Sequence, residues 1–224
     1  MNTSSAATPT IKTQLEDPLV YLPLSNIVEY RRRQRIYTYD QAATSLYLVV
    51  KGSVKLTRIA PNGRLVVAGI CQPDELFGES AVLNLPHRGE EATAMEETKV
   101  MSWTLPVLAE SIMRRPPLAM ALMQVLAQRT IDLKETLESF STETTARRLA
   151  RWLGRFADRW GVPHGAGGKR IAPFTHSLLG QCVGTSREVI SALMNQLRRQ
   201  GLLEYSRQFI VVNPEPLRQW LRQE

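Results

Sequence analysis

The chain has 224 residues, of which 43% are hydrophobic and 22% charged, and this length is sufficient for two small domains. Its 28 Lys and Arg against 21 Asp and Glu give a formal net charge of +7, which favours a polyanionic partner, either nucleic acid or an anionic membrane. Two cysteines are too few for a disulfide framework, and no run of eighteen apolar residues is present, so a disulfide scaffold and a membrane-spanning helix are excluded. We therefore expect a reduced, cytoplasmic protein.

The first part of the chain is predicted to be a tail followed by a β domain. Residues 1–18 are rich in Ser, Thr, Ala and Pro, which indicates a flexible tail rather than a signal peptide. Over residues 19–115, short apolar runs alternate with turn residues, and this predicts a β-sandwich or barrel. The sharpest turn signal is Asn62-Gly63, because Asn-Gly supplies two positive-φ residues for a tight hairpin. The predicted strands are Ile27-Val28, Ile36-Tyr37, Leu46 to Val50, Val54 to Ile59 and Leu65 to Ile70.

A long helix is predicted after Pro116-Pro117, because Leu118 to Phe140 contains neither Gly nor Pro and is filled with good helix formers. Its apolar residues recur at alternating spacings of four and three, with one arginine in the stripe. This pattern fits a dimer seam and an amphipathic helix packed on its own domain equally well. The position between a β domain and a basic domain favours a dimerisation helix over residues 116–141. The predicted dimer interface is Leu122, Leu126, Arg129, Leu133, Leu137 and Phe140.

The last third of the chain, residues 142–224, holds thirteen Lys and Arg against six Asp and Glu, so it carries the whole net excess of positive charge. Its helical periods and turn signals, followed by a short hairpin, predict a winged helix-turn-helix. The predicted elements are a helix from Thr144 to Trp160, a loop at 161–168, two helices within Thr175 to Gly201 that break at Gly184, a hairpin from Leu202 to Val212, and a final helical turn or two from Pro216 to Arg222.

The second helix of this motif begins at Thr185 or Ser186, and its open face carries Arg187, Glu188, Ser191 and Asn195. An arginine can donate two hydrogen bonds to O6 and N7 of guanine, and a glutamate can accept one from N4 of cytosine. This helix end therefore suits the major groove of DNA. Two structural alternatives remain open, because Glu188 can complete a capping box with Thr185 and Arg187 can be an ordinary surface charge.

Five short motifs occur in a fixed order along residues 19–213. They are Lys51-Gly52-Ser53-Val54, Gly78-Glu79, Pro116-Pro117 with its long helix, Val183 to Glu188, and Gly201-Leu202. In this order they resemble the catabolite activator and fumarate-nitrate regulator (CRP/FNR) superfamily. The resemblance implies an α+β chain with an N-terminal double-stranded β-roll of the cyclic-nucleotide-binding type, a dimerisation helix and a C-terminal winged helix-turn-helix that reads a palindromic site. It also implies double-stranded DNA, a second copy of the chain and RNA polymerase as partners, and no membrane.

The resemblance also bears on the DNA-contacting residues. Arg187 and Glu188 match the family's base-reading pair, and we add Ser191 to this set. Ala192 departs from the family pattern, since many members carry a second base-reading arginine there. The residues predicted to contact the DNA backbone are Thr175 and His176, which match family positions, together with Ser186 and Arg198.

The effector pocket that the resemblance implies is matched only in part. Cyclic-nucleotide-binding members hold the phosphate with a Gly-Glu pair and an Arg-Ser pair, whereas this chain has Gly78-Glu79 and Arg88-Gly89. Leu133-Lys134 aligns with the hydroxyl pair that contacts adenine, and Glu90 and Glu91 add negative charge. We therefore expect no cofactor and an effector that is unknown or absent, with a cyclic-nucleotide-dependent regulator as the alternative. The candidate pocket residues are Gly78, Glu79, Ser80, Arg88, Gly89, Leu133 and Lys134.

Catalytic and metal-binding roles find little support. Two cysteines cannot hold an iron-sulfur cluster, and His87, His164 and His176 are single histidines on predicted loops or helix ends. No nucleophile elbow, phosphate-binding Gly-Lys-Ser/Thr loop or HExxH motif is present, so we predict neither an enzyme nor a metal site. Two rival classes are a regulatory module of an enzyme or channel assembly and an architectural DNA-binding protein without base readout.

Overall fold

The computed structural model describes residues 16–83, 85–165 and 167–223. Most of the predicted tail, residues 1–15, lies outside these ranges. Residues 16–18 do not behave as a tail: Asp17 caps a short 3₁₀ helix, Pro18–Val20, by accepting a hydrogen bond from the Leu19 N–H. The Glu16 N–H donates to the Gln124 side chain at 2.8 Å. The fold therefore begins slightly earlier than predicted, because a capping aspartate and a proline together favour a helical turn.

Eight strands form the N-terminal domain within the described residues. They are β1 (Ile27–Tyr30), β2 (Arg35–Tyr37), β3 (Ser45–Lys51), β4 (Val54–Ile59), β5 (Leu65–Cys71), β6 (Leu76–Phe77), β7 (Glu91–Ala94) and β8 (Thr98–Thr104). They make two antiparallel sheets with the strand orders β1-β8-β3-β6 and β2-β7-β4-β5. Buried side chains from both sheets, including Tyr37, Val49, Val54, Phe77 and Val100, form one cluster. The predicted β-roll is confirmed.

The β4–β5 hairpin is where predicted, but its turn differs. Only Gly63 has a positive φ, at 76°, while Asn62 does not. The Gly63 N–H donates to the Ala60 carbonyl at 2.8 Å, and the Ala60 N–H donates to the Arg64 carbonyl. The predicted two-residue turn is therefore wrong. Pro61 has its own φ restricted to negative values by its ring, and the loop is longer than predicted, with Gly63 as its single left-handed residue.

Two helices follow the β-roll. α1 (Leu105–Arg114) was not predicted, whereas α2 (Pro117–Thr142) matches the predicted long helix closely. Leu118 of α2 is fully buried and packs in one cluster with Trp103 and Leu108. The start of α2 is therefore fixed to its own β-roll, and the rest of the helix extends towards the C-terminal domain.

The C-terminal domain consists of α3 (Thr145–Trp160), β9 (Val162–His164), β10 (Gly168–Ile171), α4 (His176–Val183), α5 (Arg187–Arg199), β11 (Leu203–Tyr205), β12 (Ile210–Val212) and α6 (Pro214–Arg222). Residues 161–168 were predicted to be a loop, but they contain β9 and the first residue of β10, and these two strands pair as a hairpin. β10 also pairs with β12, which completes a four-stranded sheet with the strand order β11-β12-β10-β9. The helices pack through Leu149, Leu153, Ile190 and Met194, all fully buried. Among the described helices, none is both long and apolar enough to span a bilayer.

Candidate nucleic-acid interface

The angle between α4 and α5 depends on two glycines. Gly184 ends α4 in the left-handed region, with φ at 73°, where residues with a Cβ are strained. At Gly180, a Cβ atom would lie 2.7 Å from the carbonyl oxygen of Thr185. Only glycine allows the two helices to approach this closely, so the turn between them depends on residues that lie within six positions, Gly180 to Thr185.

The first turn of α5 is capped by Ser186, whose hydroxyl oxygen accepts a hydrogen bond from the Val189 N–H at 3.3 Å. Because the cap is Ser186 and not Thr185, Glu188 stands at the second helical position, and the capping box with Thr185 is not formed. Hydrogen bonds from its own backbone N–H and from the Ser186 side chain lower the pKa of Glu188. Arg187 and Glu188 are both exposed at the helix end.

A hydrogen-bond network behind this helix end joins α4, α5 and the wing. The Ser191 hydroxyl donates to the Arg187 carbonyl at 2.9 Å and lies 2.8 Å from Nδ1 of His176. Asn195 donates to the Ser191 carbonyl and accepts from the Tyr205 hydroxyl at 3.1 Å. Sequence reasoning placed Asn195 on the open face of α5 without assigning it a role, and it missed Tyr205. Ser191, predicted to read bases, instead has its hydroxyl occupied within this network, because it lies one turn from Arg187 and faces α4.

Of the four residues predicted to contact the DNA backbone, two are helix caps and two lie within the helices. Thr175 and Ser186 are helix caps, and Thr175 accepts from the Leu178 N–H at 3.2 Å. A capping hydroxyl uses its oxygen as acceptor and keeps its own hydrogen for donation, so Thr175 can still donate to a phosphate, whereas the Ser186 hydroxyl already donates to the Glu188 carboxylate. Arg198 is exposed and donates to Asn195. Burial, followed by the charge of Arg187, lowers the pKa of His176, which favours the neutral ring.

The predicted dimer stripe on α2 divides into two groups. Leu126, Leu133 and Leu137 are 42%, 66% and 69% exposed and contribute little to the core of their own chain. Met123, which sequence reasoning missed, is 55% exposed. At 3.6 residues per turn, these four side chains fall within an arc of about 80°. They form an unpartnered apolar stripe.

Three other residues predicted for the dimer interface make contacts within their own chain. Leu122 packs beside the β-roll core, and Arg129 forms an ion pair with Glu79 at 3.2 Å. The ring of Phe140 lies against Gly184, where an added Cβ would be 2.6 Å from a ring carbon. The physical reason is that the β-roll packs on one face of the first half of α2, and the helix-turn-helix contacts its last turn.

The candidate effector pocket is filled largely by one of its own residues. Arg88 is 4% exposed, and its guanidinium lies 4.1 Å from the ring centroid of Tyr37 and donates to the Ser45 carbonyl at 3.2 Å. A Cβ atom built on Gly78 would lie 3.0 Å from Nη1 of Arg88, so the guanidinium covers the turn that would hold a phosphate. Tyr37 in turn donates to Glu90 at 2.7 Å.

Two carboxyl groups lie in the region of Arg88, and one residue of α2 contacts it. The carboxyl groups of Glu79 and Glu90 lie in this region, and burial, and next the charge of Glu79, raises the pKa of Glu90, which favours its neutral form. Leu133 and Lys134 lie on the exposed side of α2, and Arg129 is the α2 residue that contacts this region, through Glu79 and the Leu76 carbonyl. Gly89 lies at the edge, with its N–H donating to the Tyr39 carbonyl. In this structure the Arg88 guanidinium thus lies beside the Gly78 turn, while Leu133 and Lys134 face away from it.

Comparison with known proteins gives consistent results for both domains. Residues 27–115 match the model of the cyclic nucleotide-binding domain, and residues 147–220 match that of the Crp-like helix-turn-helix domain. The chain is 25% identical over 186 residues to the CRP-like cAMP-activated global transcriptional regulator of Mycobacterium tuberculosis, covering 83% of each chain. It is 25% identical to the global nitrogen regulator of Synechococcus elongatus, covering 88% of this chain and 90% of the relative. Its fold is similar to that of FixK2 from Bradyrhizobium japonicum, with a TM-score of 0.76, 24% identity, and coverage of 88% of this chain and 97% of the other.

Proposed function

Because the chain belongs to the CRP/FNR superfamily of DNA-binding transcription regulators, we propose that it acts as a homodimer that reads a palindromic DNA site with the first turn of α5. The observation that carries this proposal is the exposed pair Arg187 and Glu188 at the start of α5. Ser186 caps this helix end, and the contact between His176 and Ser191 joins it to α4. Arg187 makes no side-chain hydrogen bond or ion pair among the described residues, so both of its paired N–H groups are available to a guanine.

The homodimer part of the proposal is supported by the exposed apolar stripe of Met123, Leu126, Leu133 and Leu137. A two-fold axis along this stripe would present two copies of α5 to half-sites about one helical turn, or roughly 34–36 Å, apart. RNA polymerase enters the proposal as a partner that the family implies, and we assign no residue to that contact.

For the effector, we propose that cyclic nucleotide binding is not required. Arg88 covers Gly78, and Glu79 and Glu90 surround it with carboxyl groups. One observation favours the alternative of a cyclic-nucleotide-dependent regulator that uses Gly78, Glu79 and Arg88. The buried atoms Ser80 Oγ, Glu79 Oε2 and Arg88 Nη1 have no hydrogen-bond partner among the described residues. The cAMP-activated relative points in the same direction.

The proposed function is tested by selecting bound sites from random duplex DNA with the purified protein and no added ligand. We expect enrichment of a palindrome whose half-sites each contain a guanine that Arg187 contacts. A protein that enriches no sequence, while binding all duplexes with the same strong salt dependence, would instead be an architectural DNA-binding protein.

Titration calorimetry with cyclic AMP tests the effector proposal. We expect no saturable heat in the micromolar range, because binding would require Arg88 to leave its contact with Tyr37. Saturable micromolar binding that also tightens DNA affinity by about tenfold or more would contradict this expectation. In that case Arg88→Gln, which removes the guanidinium from the pocket, should abolish the heat.

A further inference from the structure

Three consecutive arginines, Arg31 to Arg33, form an exposed turn between β1 and β2. The Gln34 N–H donates to the Arg31 carbonyl at 2.9 Å, and the Gln34 side chain accepts from the Arg31 N–H at 2.8 Å. The Arg33 N–H donates to the Ala94 carbonyl at 2.8 Å, which ties the turn to β7. The turn is therefore held in one conformation, and it presents its arginine side chains to solvent.

The arginines of this turn lack the acidic partners that other arginines of the chain have. Arg35, Arg129, Arg151 and Arg218, for example, all form ion pairs. Within the ranges that the structure describes, no acidic side chain pairs with Arg31, Arg32 or Arg33.

The other charged residues beside the turn add to its positive potential. Glu29, which lies two residues before Arg31 in the sequence, is paired with Lys99 at 2.5 Å, and that contact lowers the pKa of Glu29. Lys51 and Lys55 line the two clefts on either side of the turn, and Glu97 is the other acidic residue among the lining residues. The surface around the turn is therefore strongly basic.

This basic surface faces the first helix of the helix-turn-helix. A cleft of about 310 Å³ has Arg32, Arg33 and Lys55 on its β-roll wall and Thr175, Ser177 and Gln181 on the other, and the structure places no acidic residue in its lining. Ile70 and Met95 of the β-roll pack against the core of the C-terminal domain. The β-roll and the helix-turn-helix therefore meet directly beside the cleft.

The cleft also adjoins the residues that we assign to DNA. Thr175 caps α4, and the next residue, His176, is close enough to Arg187 for its pKa to be lowered by that charge. In helix-turn-helix complexes the second helix lies in the major groove, while the first crosses the DNA backbone. A basic group on the outer side of α4 consequently lies beside the phosphates that continue beyond the groove.

We infer that the Arg31 to Arg33 turn of the β-roll binds phosphates of the DNA that flanks each half-site. This inference rests on the proposed function and extends the DNA interface from the winged helix to the N-terminal domain. Guanidinium groups suit phosphate oxygens because they donate paired, charge-assisted hydrogen bonds. Such contacts carry no base preference, so they add affinity that depends on the length of the flanking DNA and on salt.

The test compares two duplexes, the selected palindrome alone and the same palindrome extended by about ten base pairs on each side, a length of about one helical turn. The test variant is Arg32→Gln with Arg33→Asn, since asparagine tolerates the left-handed backbone at position 33, where φ is 67°. The matched control is Arg114→Gln with Arg115→Gln. These two arginines are exposed at the end of α1, and α1 packs on the start of α2, about 39 Å of helix away from the C-terminal domain.

We expect the wild-type protein and the control to bind the extended duplex more tightly than the short one. The test variant should bind both duplexes with the affinity that the wild type has for the short one. On the extended duplex, the log of the affinity of the test variant should fall less steeply with the log of the salt concentration than that of the wild type. The slope should be shallower by about 0.9 for each phosphate that the turn no longer neutralises. Arg32→Gln alone, which leaves the backbone at Arg33 untouched, should show part of the same effect and rules out misfolding as the cause.

Two results would overturn the inference while leaving the proposed function intact. In the first, the wild type binds both duplexes with equal affinity. In the second, the test variant still prefers the extended duplex as strongly as the wild type does. A wild-type protein that prefers no palindrome over random DNA on either length would overturn the proposed function, and the inference with it.

Discussion

The double variant Leu126→Glu with Leu133→Glu is expected to sediment as a monomer and to bind the palindromic duplex about 10²–10⁴-fold more weakly than the wild type. In the proposed dimer these side chains face their counterparts across the two-fold axis, so the variant would place four carboxylates at one apolar contact. In the protomer, both leucines are largely exposed, at 42% and 66%. The substitutions should therefore leave the fold of each chain unchanged. A monomer engages one half-site at a time, so it lacks the added affinity that comes from binding both at once.

The matched control is Met120→Glu with Ile131→Glu. These residues are 51% and 49% exposed and lie about 100–120° around the same helix from the centre of the stripe, so the control adds the same charge to α2 away from the stripe. Sedimentation velocity over a range of protein concentrations, together with thermal unfolding of each variant, separates dissociation from unfolding. The assignment of the stripe to the dimer interface would be contradicted if the Leu126→Glu, Leu133→Glu variant remained a dimer. It would also be contradicted if the control variant dissociated to the same extent.

Arg187→Ala is expected to weaken binding to the selected palindrome by about 1–3 kcal/mol per half-site, because each half-site then lacks its arginine–guanine pair. The preference at one base pair per half-site should relax for the same reason. The side chain has no intramolecular hydrogen bond or ion pair among the described residues, so the melting temperature should remain near that of the wild type. Competition binding against single-base variants of the palindrome measures both the affinity and the preference.

Arg199→Ala provides the matched control, because Arg199 is exposed in the last turn of the same helix, three turns beyond the groove-facing end. Its removal should weaken specific and random DNA by similar factors and flatten the salt dependence. If Arg187→Ala leaves both the selected sequence and the affinity unchanged, α5 is not the recognition helix.

Features of this protein that depend on residues close together in the chain were predictable from sequence. The break at Gly184, the caps at Thr175 and Ser186, and the long helix after Pro116-Pro117 each follow from a few neighbouring residues. In such cases the interacting groups are a turn apart, so the residue type largely decides the conformation. The strand β8 was missed although its buried side chains alternate, because no sharp turn signal separates it from the preceding glutamates.

The roles of several long side chains were decided by tertiary structure alone. Arg88 was expected at a ligand site but packs over Tyr37, Arg129 was expected at a dimer seam but pairs with Glu79, and Phe140 covers Gly184. In each case the partner is distant in sequence, and the same local sequence could equally leave the side chain exposed. The sequence by itself thus determined the order of the domains, the positions of the helices of the DNA-binding domain and the arginine that we assign to base reading. The packing of the two domains around α2 decided which side chains remain free to bind a partner, because burial and pairing depend on contacts that only the folded chain brings together.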